Sequence, residues 1–201
     1  MRFQLARRTR SNCAHASVCL MAMLAVLVSG GCVDHPPYPS SWSPISPSLG
    51  PNCSGLSGTF RAQRIGTDVA PWDLAQELDR IVDESGANLS RFDFHRVTDV
   101  RLDVAAPRAT AVLLAGTERI GTIELGAPQY SPTCDGRALK LLWLEVGAAP
   151  FAAGVGHETT MLFRAEDGSL VMRTGSGAVG VVLLVPIGDS YYSWARYSAR
   201  P

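Results

Sequence analysis

The stretch Phe92-Asp-Phe-His-Arg-Val-Thr-Asp-Val-Arg-Leu-Asp-Val104 repeats with a period of two. Phe92, Phe94, Val100, Leu102 and Val104 take even positions; Asp93, His95, Asp99, Arg101 and Asp103 take odd ones. Successive side chains of a strand point to opposite faces, so the pattern predicts an antiparallel strand with one face buried and one in water. A parallel strand, covered by helices on both faces, would be apolar almost throughout. Further strands are predicted at 57–65, 109–115, 119–125, 137–146, 158–165, 170–174, 178–185 and 190–197. Glu166-Asp-Gly-Ser169, between two of them, is the strongest hairpin signal of the chain.

One segment breaks the period. In 71–85, Leu74, Leu78, Ile81 and Val82 fall at i, i+4, i+7 and i+8, which predicts an amphipathic helix after the first strand. Pro71 suits its first turn, Asp73 and Glu77 the positive end of its dipole, and Gly86 its C-terminal cap. Helices do not alternate with the strands as a parallel sheet requires. The expected fold is therefore mainly β (α+β): an antiparallel sheet of eight or nine strands, curled into a barrel or sandwich, with one helix.

The N-terminus has the form of an export signal. Arg2, Arg7, Arg8 and Arg10 make a basic start, and Val18–Val28 is an apolar run without a charge. That run is too short to span a membrane as a helix, for which about 20 residues are needed, and suits a signal core of roughly 7–15. Of 18 Lys and Arg, these four leave with residues 1–31; the remaining 14 face 18 acids, a net charge of −4. Such a body has no electrostatic footprint for a phosphate backbone, so nucleic acid is not an expected partner.

Val28-Ser29-Gly30-Gly31-Cys32 follows the apolar run and resembles a lipobox, whose last residue becomes an acylated cysteine. Lipoboxes favour Leu where Ser29 stands, and Ser29-x-Gly31 also suits ordinary signal peptidase, which would cut at the same bond. Cysteine parity separates the two outcomes. Cys13 and Cys19 leave with the signal. If Cys32 carries lipid, Cys53 and Cys134 remain as an even pair, expected to form a disulfide in an oxidising compartment. Without lipid, Cys32 is an odd thiol. Residues 33–52 hold six Pro and five Ser and read as a semi-rigid spacer, about 60 Å if fully extended. The expected organisation is a signal peptide at 1–31, a lipidated Cys32 with a tether to residue 52, and a β-rich domain at 53–201.

Candidate chemistry is sparse. His95 has Asp93 and Asp99 as same-face neighbours on an extended strand, the setting of a salt bridge or of a base held by a carboxylate. His157-Glu158 lacks the second histidine of HExxH and follows the small-residue stretch Gly147–Gly156, read as a loop. Gly175-Ser-Gly-Ala-Val-Gly180 has the letters of a dinucleotide fingerprint, but an apolar run ending at Pro186 follows it instead of a helix, so a glycine-rich strand connection is expected. No GxSxG elbow is present. In Tyr191-Tyr-Ser-Trp-Ala-Arg-Tyr197, alternation puts Tyr192, Trp194 and Arg196 on one face. That face either closes the sheet, with Arg196 stacked on Trp194, or lines a ligand site. No catalytic residue, metal ligand or cofactor is assigned, and His95 and His157 remain the candidates for an enzyme.

Together, Cys53-Ser-Gly-Leu-Ser-Gly-Thr-Phe60, Pro132-Thr-Cys-Asp-Gly136, Asp167-Gly-Ser-Leu-Val171 and Pro186 with Trp194-Ala-Arg-Tyr197 resemble a group of uncharacterised proteobacterial outer-membrane lipoproteins. The resemblance implies a lipid-anchored envelope protein that contacts envelope proteins or the cell wall. Retention in the inner membrane goes with Asp directly after the acylated cysteine; here Val33 stands there, which implies the periplasmic leaflet of the outer membrane. Gly58-x-Phe60 and Arg196 are also similar to the Gly-x-Trp and stacking arginine of lipocalins, which implies an apolar ligand as the alternative function.

Overall fold

A computed structural model describes residues 36–65, 73–82, 92–125, 132–149, 152–182 and 185–201. The signal, Cys32 and the 83–91 stretch lie outside them. Nine strands are described: β1 (Gly58–Arg64), β2 (Asp99–Ala105), β3 (Arg108–Ala115), β4 (Glu118–Glu124), β5 (Thr133–Cys134), β6 (Leu139–Ala149), β7 (Ala152–Arg164), β8 (Leu170–Val182) and β9 (Val185–Ala199). They form one antiparallel sheet in the order β4-β3-β2-β1-β9-β8-β7-β6-β5, with one helix, α1 (Leu74–Val82), between the first two. β4 and β5 are its edges, so the sheet is open and does not close into a barrel.

Two meanders meet at the centre, where β1 pairs with β9 at Phe60↔Ala199 and Arg64↔Tyr197 across a shift in register. In β2 Val100, Leu102 and Val104 are buried, as the period of two requires, and the strand's first residue, Asp99, is buried as well. The extended reading of Phe92–Val104 needs correction at its start. Phe94–Arg96 is a 3-10 turn, and the strand begins at Asp99. The alternation itself fails there, because Arg96 and Thr98 occupy even positions.

Residues α1 buries include Leu74, Ala75, Leu78 and Ile81. Its first turn is held by a reciprocal cap: Gln76 N–H donates to Asp73 Oδ1 at 2.9 Å, and Asp73 N–H to Gln76 Oε1 at 3.1 Å. On its outward side, Arg80 bonds Glu77 and then Glu158 of β7, at 3.0 and 2.6 Å. Burial alone would lower the Arg80 pKa, but these two carboxylates raise it well above the usual value. The core beneath α1 gathers Phe60, Leu102, Leu113, Ile123, Leu141, Leu162 and Tyr197.

The 33–52 stretch does not stand clear of the domain once it reaches Pro36. Ile45 bridges Ala165, Ser46 N–H donates to Arg164 O, and Glu166 N–H donates to Pro44 O. Leu49 is 2% exposed and its N–H reaches Gly136 O. Proline removes backbone donors, yet the intervening residues keep theirs, and Leu49 buries its side chain in the core. A 3-10 segment, Pro51–Leu56, continues this strap on the helix face. Its Cys53 joins Cys134 of β5 in the expected disulfide, with Cα atoms 5.7 Å apart. Since Ala106 N–H donates to Asn52 O, the strap ties the β2–β3 turn to the opposite edge of the sheet.

β6 to β9 form the longest hairpins. The stretch Gly147–Gly156, read as a loop, is strand: Gly147 pairs Gly154 and Val146 pairs Val155. Likewise Gly175–Gly180 is no connection but the middle of an unbroken β8. Glycine weakens a lone strand, but here β7 and β8 are paired on both sides and rings cover two of the gaps in β8. A Cβ on Gly175 would lie 2.4 Å from the Tyr192 ring, and one on Gly177 would lie 2.6 Å from the His157 ring.

Candidate functional site

β9 carries Tyr192, Trp194 and Arg196 on one face, as alternation requires, while Ala195 and Tyr197 enter the core beside α1. Burial, with Glu77 adding to it, raises the Tyr197 hydroxyl pKa far above its ordinary value. The register sets Arg173 opposite Trp194 and Gly175 opposite Tyr192. Lacking a side chain, Gly175 leaves room for the Tyr192 ring, and the Arg173 guanidinium lies 4.6 Å from that ring and 5.5 Å from Trp194. The cation over Trp194 is thus Arg173, not the expected Arg196. Arg196 instead bonds Asp167 and, at 2.9 Å, Ser169 Oγ, and lies 6.0 Å from the Trp42 ring.

The strap occupies this aromatic row. Trp194 Nε1–H donates to Pro36 O at 2.9 Å, and Tyr38 meets the Trp194 ring edge-on at 5.3 Å. Tyr38 also meets Trp42 edge-on at 5.8 Å, and its hydroxyl donates to Ser43 O. Burial raises the Tyr38 pKa, against the lowering by Arg196. Burial would also raise Asp167, but the Ser169 hydroxyl and N–H and the Arg196 guanidinium hold it below the usual carboxylate range. The predicted ligand-facing residues therefore share one face, where the chain's own segment 36–42 meets Trp194 and Arg196, and Arg173 meets Tyr192.

The two histidines are apart from that row. His95 is exposed in the turn Phe94–Arg96. Asp99 is not its partner: it is 1% exposed, accepts from Thr98 Oγ1 at 2.8 Å, and is bonded by Arg200, with Arg61 at 3.7 Å. The nearby acid is Asp73, whose pKa burial raises while His95 lowers it. His157 is half-buried on β7 with its ring against Gly177. Among the described residues, no three His, Cys, Asp or Glu are grouped as metal ligands. A cleft of about 470 Å³ opens where β1 and β9 slip in register, lined by Arg61, Gln63, Arg64 and Ser198. Sequence reading missed Arg173, Tyr38 and Trp42; the signal was an aromatic pair inside a proline-rich stretch.

No family model, curated protein or solved structure matches this chain.

Proposed function

We propose that this chain is an envelope lipoprotein, acylated at Cys32 and held on the periplasmic leaflet of the outer membrane. Its domain works there by contact with the membrane, with envelope proteins or with the cell wall, without chemistry of its own. The observation that carries the reading is the seat of the strap. Pro36 is hydrogen-bonded to Trp194, and the four residues from Cys32 span at most about 14 Å. An acyl chain on Cys32 would hold β9 close to the headgroups, in a fixed relation to the bilayer. A long spacer would let the domain drift freely.

Mass spectrometry of the mature N-terminal peptide tests the anchor. Acylated Cys32 is the expected result, and the Cys32→Ala chain should leave the membrane fraction. A free thiol at Cys32 would overturn it. Crosslinking in intact cells tests the contact role: a domain that captures neither an envelope protein nor peptidoglycan counts against it.

A further inference from the structure

We infer that the distal half of β6–β9 is a membrane-inserting blade, and that several copies close edge to edge into one barrel. The inference deepens the proposed function and rests on its anchored domain. Cross-strand partners Leu141, Thr160, Thr174 and Ser193 form one row across the four strands. From that row outward each strand runs about nine residues, near the 9–11 that a tilted strand needs to cross a hydrocarbon core. Residues 146–156 and 174–188 carry no charge at all. Their connecting residues are Pro150-Phe151 and Leu183-Leu184, where a hairpin in water takes Asn, Asp or Gly.

The blade has two chemically different faces. Leu142, Val155, Val179 and Val181 are 48, 46, 66 and 42% exposed, and the register puts all four on the face away from α1. The α1 side carries Glu158, Thr160, Thr174 and Ser176 in the same strands, with Glu158 bound to Arg80. Within the blade, the outer face of β7 and β8 is apolar but for Thr159 and His157, and the α1 face is polar at the root and Gly or Ala beyond it as far as Gly180. An apolar outer face that alternates by twos with a small or polar inner one is the pattern of a membrane barrel. At the root of the blade stand Trp42, Tyr38, Trp194 and Tyr192. An aromatic girdle at that level belongs at a headgroup interface, and the short leash to Cys32 brings lipid to the same level.

Backbone accounting brings in the second copy. β5 covers β6 only at Leu139 and Lys140, and β1 covers β9 only as far as Arg64↔Tyr197. Among the described residues, no strand pairs the outer edges of Leu141–Ala149 or Val185–Tyr191. In hydrocarbon, unpaired N–H and C=O groups are too costly, so the edges must close. Because β6 and β9 run in opposite directions, the β9 edge of one copy meets the β6 edge of the next antiparallel, and a head-to-tail ring continues the alternation.

The test uses the acylated full chain with single cysteines at Val155, Val179, Val181 or Ser176, labelled with a polarity-sensitive dye. Vesicles of phosphatidylethanolamine and phosphatidylglycerol carry doxyl-labelled acyl chains. Expected are a blue shift and quenching at the three valine sites and neither at Ser176, in particles that hold several copies. Probes that stay in water at every site, quenching without parity, or single-copy particles would overturn the inference. The Val179→Asp, Val181→Asp chain should lose quenching of a Val155 probe while still co-floating through Cys32. Anchor failure reads separately, as an N-terminal peptide without acyl chains; quenching at Val179 is then scored on the unanchored chain by the same criteria.

Discussion

The two ends of β6–β9 are built from the same four strands and answer to different solvents. At the near end, Leu139, Leu162, Met172 and Ala195 share a row under 7% exposed, within the core that also takes in Leu49, Cys53 and Leu56 of the strap. Its turn, Glu166–Ser169, is polar, with Ser169 N–H and Oγ donating to Asp167 Oδ1 at 3.0 and 2.7 Å. At the far end Val155, Val179 and Val181 are exposed, and charge is absent from 146–156 and from 174–188. A soluble domain keeps apolar side chains in and polar turns out. The near end obeys that rule and the far end inverts it, so the far end is suited to a second, apolar phase.

Mutations in water should therefore register at one end only. The largest effect belongs to the disulfide, which closes a loop of 81 positions. Replacing Cys53 and Cys134 with Ser should remove about 4.5 kcal/mol by the loop-entropy model, read in urea or guanidinium unfolding. Leu78→Ala, at a fully buried site, should cost about 3 kcal/mol in the same assay. Val179→Ala, at a 66%-exposed site, should cost less than about 0.5 kcal/mol. Equal losses at Leu78 and Val179 would erase the contrast between the ends.

Smaller changes sharpen it. Asp73→Ala removes the reciprocal cap of α1 and should cost about 1 kcal/mol. Titration adds a graded check through two groups of the near end, Asp135 and Tyr197. Asp135 is held at about 2 by its bond to Lys140 and by the N–H groups of Arg137 and Ala138. A depressed carboxyl stabilises above its unfolded pKa, so that contribution should fade as pH drops from about 4 towards 2. Tyr197 is raised by burial; its contribution is complete below about pH 10 and should decline above it. A stability profile flat in both windows would contradict the two assignments.

Much of the near end was legible in the sequence. The period of two in Val100–Val104, the Asp-Gly turn and the apolar stripe of Leu74, Leu78 and Ile81 each report a local rule that packing reinforces. The Cys53–Cys134 bridge followed from parity alone. The far end was hidden because Gly147, Gly154, Gly175 and Gly177 look like breakers. Instead Gly154, Gly175 and Gly177 are paired on both sides, the last two also covered by the rings of Tyr192 and His157, and Gly147 is held by its pairing with Gly154. Pairing of β1 with β9 joins positions far apart in sequence, and no periodicity encodes it. The strap was hidden by composition: six Pro and five Ser conceal that Tyr38, Trp42 and Leu49 have receptors on the sheet. For the aromatic row, alternation correctly grouped Tyr192, Trp194 and Arg196, but gave no hint that Pro36 and Tyr38 would meet Trp194 or that Trp42 would lie beside Arg196.

Hydrogen exchange of the full chain, with and without phosphatidylethanolamine–phosphatidylglycerol vesicles, tests the two-solvent account most directly. Amides on the outer edges of Leu141–Ala149 and Val185–Tyr191 should exchange fast in buffer and become strongly protected with vesicles, while those of β2 and β3 stay unchanged. Edge amides that exchange equally fast in both conditions would show that the far end lives in water, and the account would fail.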